Sequence, residues 1–308
     1  MSPTTRQDES HRLRTQANSV ATSMPPLLVT ARRIAAAINL GSHGRRRAGP
    51  GDSFWQFRPY SKDDTPQAID WRQSGKFDTV FVREREWVAA QTAALWCDTS
   101  PSMRYRSEKN LPTKAERCAV MLLALAELLV DGGEQIIQLD SAGLPQRTAR
   151  AGQLAIAHMA DAMAAELMAE DFPQDAPALP RFTAALPRHA AVILFSDFLA
   201  PLDVIADSVR TLMRQGVTGH MIQVLDPAEE SLPFSGRVRF VGLEKEGDTI
   251  IDRAEDARES YIQKLKNHRD GLKSLAQQAG WSFGVHRTDH SPQPAMSALH
   301  NAITGHRY

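Results

Sequence analysis

Residues 93–102, Ala-Ala-Leu-Trp-Cys-Asp-Thr-Ser-Pro-Ser, carry the reading of this sequence. Ala93 to Cys97 is an apolar run too short for a helix. It stops on a carboxylate, Asp98, and hydroxyls follow at alternate positions, Ser100 and Ser102. A short apolar run bounded by turn residues suits a strand buried on both faces. The same unit recurs at Gln135–Leu139, at Ala190–Phe195 ending on Ser196-Asp197, at Gly219–Leu225 ending on Asp226-Pro227, and at Trp281–His286. Helical stretches lie between these runs. Thr113 with Glu116 forms a capping box, and an apolar helix follows to Val130, stopped by Asp131-Gly132-Gly133. Further helices are expected at Gln153–Glu170, Val204–Gln215, Ala254–Ala279 and Ala295–Ile303. A Pro-rich connector spans Pro173–Pro187, and Val238–Ile251 reads as a hairpin turning near Gly247-Asp248. Strands alternating with helices give an α/β, Rossmann-like fold with a mainly parallel sheet. Ligands of such sheets sit beyond the carboxyl ends of the strands, so function is sought just after each strand.

Upstream of this pattern the chain changes character. Residues 1–23 are polar and read as a mobile tail. Residues 24–90 form an N-terminal segment. It opens with a short helix after Pro25-Pro26, continues in a Gly-rich loop containing Arg45-Arg46-Arg47, and holds an aromatic strand at 54–60. At 79–90 Phe81, Arg83, Arg85 and Trp87 alternate with Val80, Val82, Glu84, Glu86 and Val88, the period of a strand. Residues 91–308 are the α/β domain.

Composition excludes several classes. The chain has 308 residues, with Lys+Arg and Asp+Glu both 36, so it lacks the basic excess of a protein that mainly grips phosphate backbones. Nucleic acid is therefore not the expected partner, although Arg45–Arg47 near Trp55 and Phe57 is the one stretch that could take it. Two cysteines, Cys97 and Cys118, rule out a disulfide framework and read as small core residues. The ten histidines show no metal-binding spacing. A membrane span needs roughly 20 apolar residues. The best run, Ala119–Val130, is shorter and contains Glu127, and the polar start lacks a signal-peptide core. The expectation is a cytoplasmic protein without a span.

Asp98, Ser100 and Ser102 place a carboxylate and two hydroxyls on one tight loop, and Asp197 brings a second carboxylate to the same rim. Oxygen ligands of this kind suit Mg2+ or Mn2+. The plainer reading is that Asp98 only caps a turn. The arrangement resembles the von Willebrand factor A-type domain and its metal-ion-dependent adhesion site. That resemblance implies a further threonine ligand, for which Thr183 is the candidate and Thr148 the alternative.

The segment before the motif adds Gly44-Arg45-Arg46-Arg47, Gly51-Asp-Ser-Phe-Trp-Gln-Phe-Arg-Pro-Tyr60, Ile69-Asp-Trp-Arg-Gln-Ser74 and Val82-Arg-Glu84, in that order. Together these resemble the bacterial family called domain of unknown function 58, over roughly residues 41–290. The resemblance implies a von Willebrand A-like protein that works beside a MoxR-type AAA+ ATPase in a chaperone-like or assembly role on a client protein. Arg45, Arg46, Arg47, Arg83 and Arg85 are the candidate partner-binding residues. Asp70-Trp71-Arg72 reads as a recognition surface or as a structural knot with Trp71 buried.

Two function classes follow. One is a non-enzymatic binding module in which a weakly held Mg2+ or Mn2+ at Asp98, Ser100, Ser102 and Asp197 is completed by a partner's carboxylate. The other is a magnesium-dependent phosphohydrolase using Asp98 as nucleophile. Such phosphatases carry a second aspartate two residues on as general acid. Here that residue is Ser100, and neither a phosphate-binding Gly-x-x-x-x-Gly-Lys loop nor a Gly-x-Ser-x-Gly elbow is present. The expectation is therefore binding rather than catalysis.

Overall fold

The computed structural model describes residues 27–39, 54–60, 69–76, 79–85, 91–146, 152–169, 179–180, 182, 184–243 and 247–305. These divide into two units, one holding 27–39 with 91–305 and the other the described residues of 43–90. The expected N-terminal segment is thus shared between them. Helix α1 (27–39) belongs to the larger unit because Ala31, Ile34, Ala35 and Ile38 repeat at helical spacing and are buried in its core.

In the smaller unit, β1 (Phe54–Pro59) pairs antiparallel with β2 (Phe81–Arg85). A four-residue helix, α2 (Trp71–Ser74), lies between them in sequence. The knot expected here is tied by Ser74, not by the tryptophan. Ser74 Oγ donates to the Asp70 carbonyl (2.8 Å) and accepts from the Phe81 amide (2.9 Å). Trp71 is 70% exposed, which corrects the expectation that it is buried. It stands on the first turn of a helix too short to bury a face.

The larger unit contains the strands anticipated from the apolar runs: β3 (Thr92–Cys97), β4 (Gln135–Gln138), β5 (Ala191–Ser196), β6 (Thr218–Leu225) and, after an outlying hairpin, β9 (Ser282–Arg287). They form one parallel sheet in the order β4-β3-β5-β6-β9. Alternate residues feed two cores. Leu95, Cys97, Ile193 and Phe195 face α3 (Lys114–Asp131), α4 (Gln153–Met168) and α8 (Gln293–Gly305). Trp96, Val192, Leu194 and Met221 face α5 (Leu202–Arg214) and α7 (Ala254–Gln278). Every residue of β5 is buried, as its unbroken apolar sequence requires. The hairpin is β7 (Val238–Val241) with β8 (Asp248–Ile251), and a short helix α6 (Pro227–Ser231) follows β6 directly. The capping box at the start of α3 is formed, with Thr113 Oγ1 accepting from the Glu116 amide and the Glu116 carboxylate accepting from the Thr113 amide. Among the described residues no helix is long and apolar enough to cross a membrane.

Candidate functional site

The chain crosses from β3 to β4 on one side of the sheet, and β5 lies on the other side of β3. A crevice opens at such a reversal, beyond the strand ends. The register Cys97↔Phe195 brings the two carboxylate-bearing turns level. The Asp98 amide extends the ladder by one bond, to the Phe195 carbonyl (2.8 Å). Each Asp98 oxygen is then used. Oδ1 accepts from the Ser100 amide (2.8 Å) and Oδ2 from the Ser196 hydroxyl (2.6 Å). Asp98 therefore does cap its turn, but it is also joined across strands to β5.

Ser100 precedes a 3-10 turn (Pro101–Arg104) that bends the loop back over the rim. Its hydroxyl lies 3.1 Å from that of Ser102, which in turn donates to Asp197 Oδ2 (2.9 Å). Asp197 is fixed from three further sides. The Leu199 amide donates to Oδ1 (3.2 Å), Gln223 Nε2 donates to its carbonyl (2.9 Å), and Lys114 Nζ donates to Oδ2 (2.9 Å). All four expected oxygen donors thus converge in one chain of contacts between β3 and β5. Asp98 and Asp197 are each 4% exposed. Burial, reinforced by the charge of Asp197, pushes the Asp98 carboxyl up to about 7, against the hydrogen bonds from Ser196 and Ser100. Asp98 is therefore held where its charge is under-compensated, which favours a nearby cation.

The donor set consists only of carboxylate and hydroxyl oxygens, which fits Mg2+ or Mn2+ and not a thiolate- or imidazole-seeking metal. Asp98, Ser100, Ser102 and Asp197 would hold the ion, which would supply a Lewis-acidic position open to a further oxygen. Among the described residues no group of three or more His, Cys, Asp or Glu side chains is placed to hold a metal. An ion here would therefore depend on the serines and on water.

Residues not singled out from the sequence complete the rim. Lys114, the first residue of α3, is fully buried and bridges Asp197 to Glu229 Oε1 (2.5 Å). Burial opposes its charge, but Asp197 and Glu229 outweigh burial and hold the ammonium above the usual lysine range. Glu229 belongs to a second capping box. Its Oε2 accepts from the Asp226 amide (2.9 Å), while Asp226 accepts from the amides of Ala228 and Ser107 (both 2.9 Å). Tyr261 of α7 donates to the Glu229 carbonyl (2.7 Å). The sequence signal available was Asp226-Pro227 with Glu229 three residues after the aspartate, the same pattern that marks α3.

Arg83 and Arg85 lie on β2, in register with Phe57 and Phe54, within the smaller unit and not among the rim elements. Thr183, Thr148 and Arg45–Arg47 lie outside the described residues.

Residues 56–271 match the family model described as protein of unknown function DUF58. The chain belongs to this family. Among solved structures, this DUF58 protein is similar to the conserved hypothetical protein BatB from Bacteroides thetaiotaomicron, with 14% identity and a TM-score of 0.41 over 70% of this chain and 98% of that one. It is also similar to an aerotolerance-related membrane protein from Bacteroides fragilis NCTC 9343 carrying multiple mutations to serines, with 16% identity and a TM-score of 0.38 over 70% of this chain and 100% of that one. Comparison with curated proteins gives no match.

Proposed function

We propose that this DUF58 protein is a non-enzymatic binding module. Its rim holds Mg2+ or Mn2+ through Asp98, Ser100, Ser102 and Asp197, and an acidic side chain of a partner protein completes the shell. The observation that carries this reading is the meeting of Ser100, Ser102 and Asp197 at 3.1 and 2.9 Å beside a buried Asp98. Binding through such a site requires no bond to break. The resemblance to von Willebrand A-like proteins that accompany MoxR-type AAA+ ATPases supports such an ATPase as the partner, with the pair acting in assembly or maturation of a client.

The test is calorimetry of the purified chain with Mn2+ and Mg2+, followed by size-exclusion chromatography with the candidate ATPase in each nucleotide state, with and without chelator. Metal binding lost in Asp98→Ala, and co-elution lost in chelator, support the reading. Separate elution in every state, or partner affinity unchanged by chelator, overturns it. Hydrolysis of ATP or phosphate esters above an Asp98→Ala control would overturn the non-enzymatic assignment.

A further inference from the structure

We infer that the Lys114 ammonium is a built-in competitor for the divalent ion and sets how tightly the rim can hold it. The inference rests on the proposed metal reading and adds a residue that lies outside the Asp-Ser-Ser-Asp set.

Three observations carry it. First, the position is adverse to a cation. Lys114 is the first residue of an 18-residue helix, where the backbone dipole presents its positive end, and it is fully buried. Among the described residues, the carboxylates of Asp197 and Glu229 are what pair with its charge there. Second, the ammonium occupies the oxygen a metal would want. Asp197 Oδ2 already takes two donors, Lys114 Nζ and Ser102 Oγ, and Oδ1 takes the Leu199 amide. An ion approaching Asp197 meets a fixed positive charge 2.9 Å from that oxygen. Third, the lysine has a second carboxylate to keep. Glu229 is fixed through its own side chain and carbonyl to Asp226 and Tyr261, so an ammonium displaced from Asp197 retains a partner. Lys114 is thus a positioning residue. It neutralises and orients Asp197 in the metal-free protein and repels the incoming ion. The rim then binds divalent cations weakly unless a partner's carboxylate adds negative charge.

The experiment is Mn2+ titration, followed by electron paramagnetic resonance and by thermal shift, of the full chain and three variants: Lys114→Met, Glu229→Gln, and the two combined. The double variant removes one positive and one negative charge. It keeps the net charge of the cluster, removes Glu229's charge together with that of its partner, and frees Asp197 of the ammonium while leaving it the Ser102 hydroxyl and the Leu199 amide. It is expected to bind Mn2+ roughly tenfold more tightly than the unaltered chain. Lys114→Met alone should bind more tightly still, and Glu229→Gln more weakly. Equal or weaker Mn2+ affinity in a folded double variant, where the unaltered chain does bind, overturns the competitor role and leaves the metal reading intact. Absence of Mn2+ binding in all four proteins overturns both. A lysine with a purely structural role would not raise metal affinity on its removal, so the sign of the change decides.

Discussion

Replacing Asp98 by Asn keeps the side chain's shape and removes its charge. The Asn carbonyl can still accept from the Ser100 amide, and its NH2 can donate to Ser196 Oγ, reversing the present 2.6 Å bond. What changes is the energy of holding an anion beside Asp197 in a buried site. The Asp98 carboxyl rises from an ordinary 3.8 to about 7, with burial as the larger cause and Asp197 the next. A folded-state value above the unfolded one favours the fold most at low pH. The contribution is complete below about pH 4 and is lost as pH rises through about 7. At pH 8 the charged form therefore costs about 4 kcal/mol, since each tenfold change in acidity between 3.8 and about 7 is worth about 1.4 kcal/mol. Asp98→Asn should relieve that cost. In chelator at pH 8 it should be more stable than the parent chain by that amount, and the gain should vanish near pH 4. Added Mn2+ should restore stability to the parent and do nothing for the variant. Urea unfolding at both pH values, with chelator or metal, measures all of this. A variant destabilised by more than about 1 kcal/mol at pH 8 in chelator would refute the reasoning and leave Asp98 as a turn residue whose carboxylate the fold prefers charged.

Other consequences concern the scaffold. A methyl group on Gly219 of β6 would fall 2.0–2.2 Å from the buried indole of Trp281, so Gly219→Ala should lose about 2–4 kcal/mol in denaturant unfolding. Burial, then the neighbouring Arg117 and His290, lower the His286 imidazole to about 4, so stability should drain away as pH falls from 6.5 towards 4. His286→Phe should flatten that acid limb of a melting-temperature profile, and an unchanged limb would count against it. Thr113→Ala should cost about 1 kcal/mol by breaking the capping box of α3, and an unchanged melting temperature would deny the cap its role.

The fold was legible because burial leaves a periodic trace. The residues of β5 are apolar throughout since both faces are covered, and alternate residues of β3 supply opposite cores. Asp98, Ser100, Ser102 and Asp197 could be read because two turns on one rim each announce themselves locally. Lys114 could not. A lysine after an N-cap threonine ordinarily faces water, and only elements 83 and 115 residues away, bearing Asp197 and Glu229, make burial possible. The side chain of Trp71 failed for the opposite reason. Of its two readings, recognition surface or buried knot, the buried one fails because α2 has four residues and no second turn with which to cover it. Ser196 was visible only as the end of a strand, although it donates to Asp98 across the sheet.

The placement of these groups along the chain has a consequence for how the protein is made. Ser196 and Asp98 are separated by 98 residues, Ser102 and Asp197 by 95, and Lys114 and Glu229 by 115. At roughly 5–20 residues per second, several seconds or more pass on the ribosome between the two halves of each pair. During that interval β3 can pair with β4, but α3 must wait, with a lysine at its first turn and no carboxylate from β5 or α6 to receive it. The rim is therefore a late product of synthesis. A nascent chain halted before residue 191 would expose the β3 edge that β5 later covers, and a nascent chain halted before residue 229 would carry the Asp98 and Asp197 turns with the lysine only half satisfied. Ribosome-arrested chains of graded length, probed by limited proteolysis, would locate the step at which this rim closes.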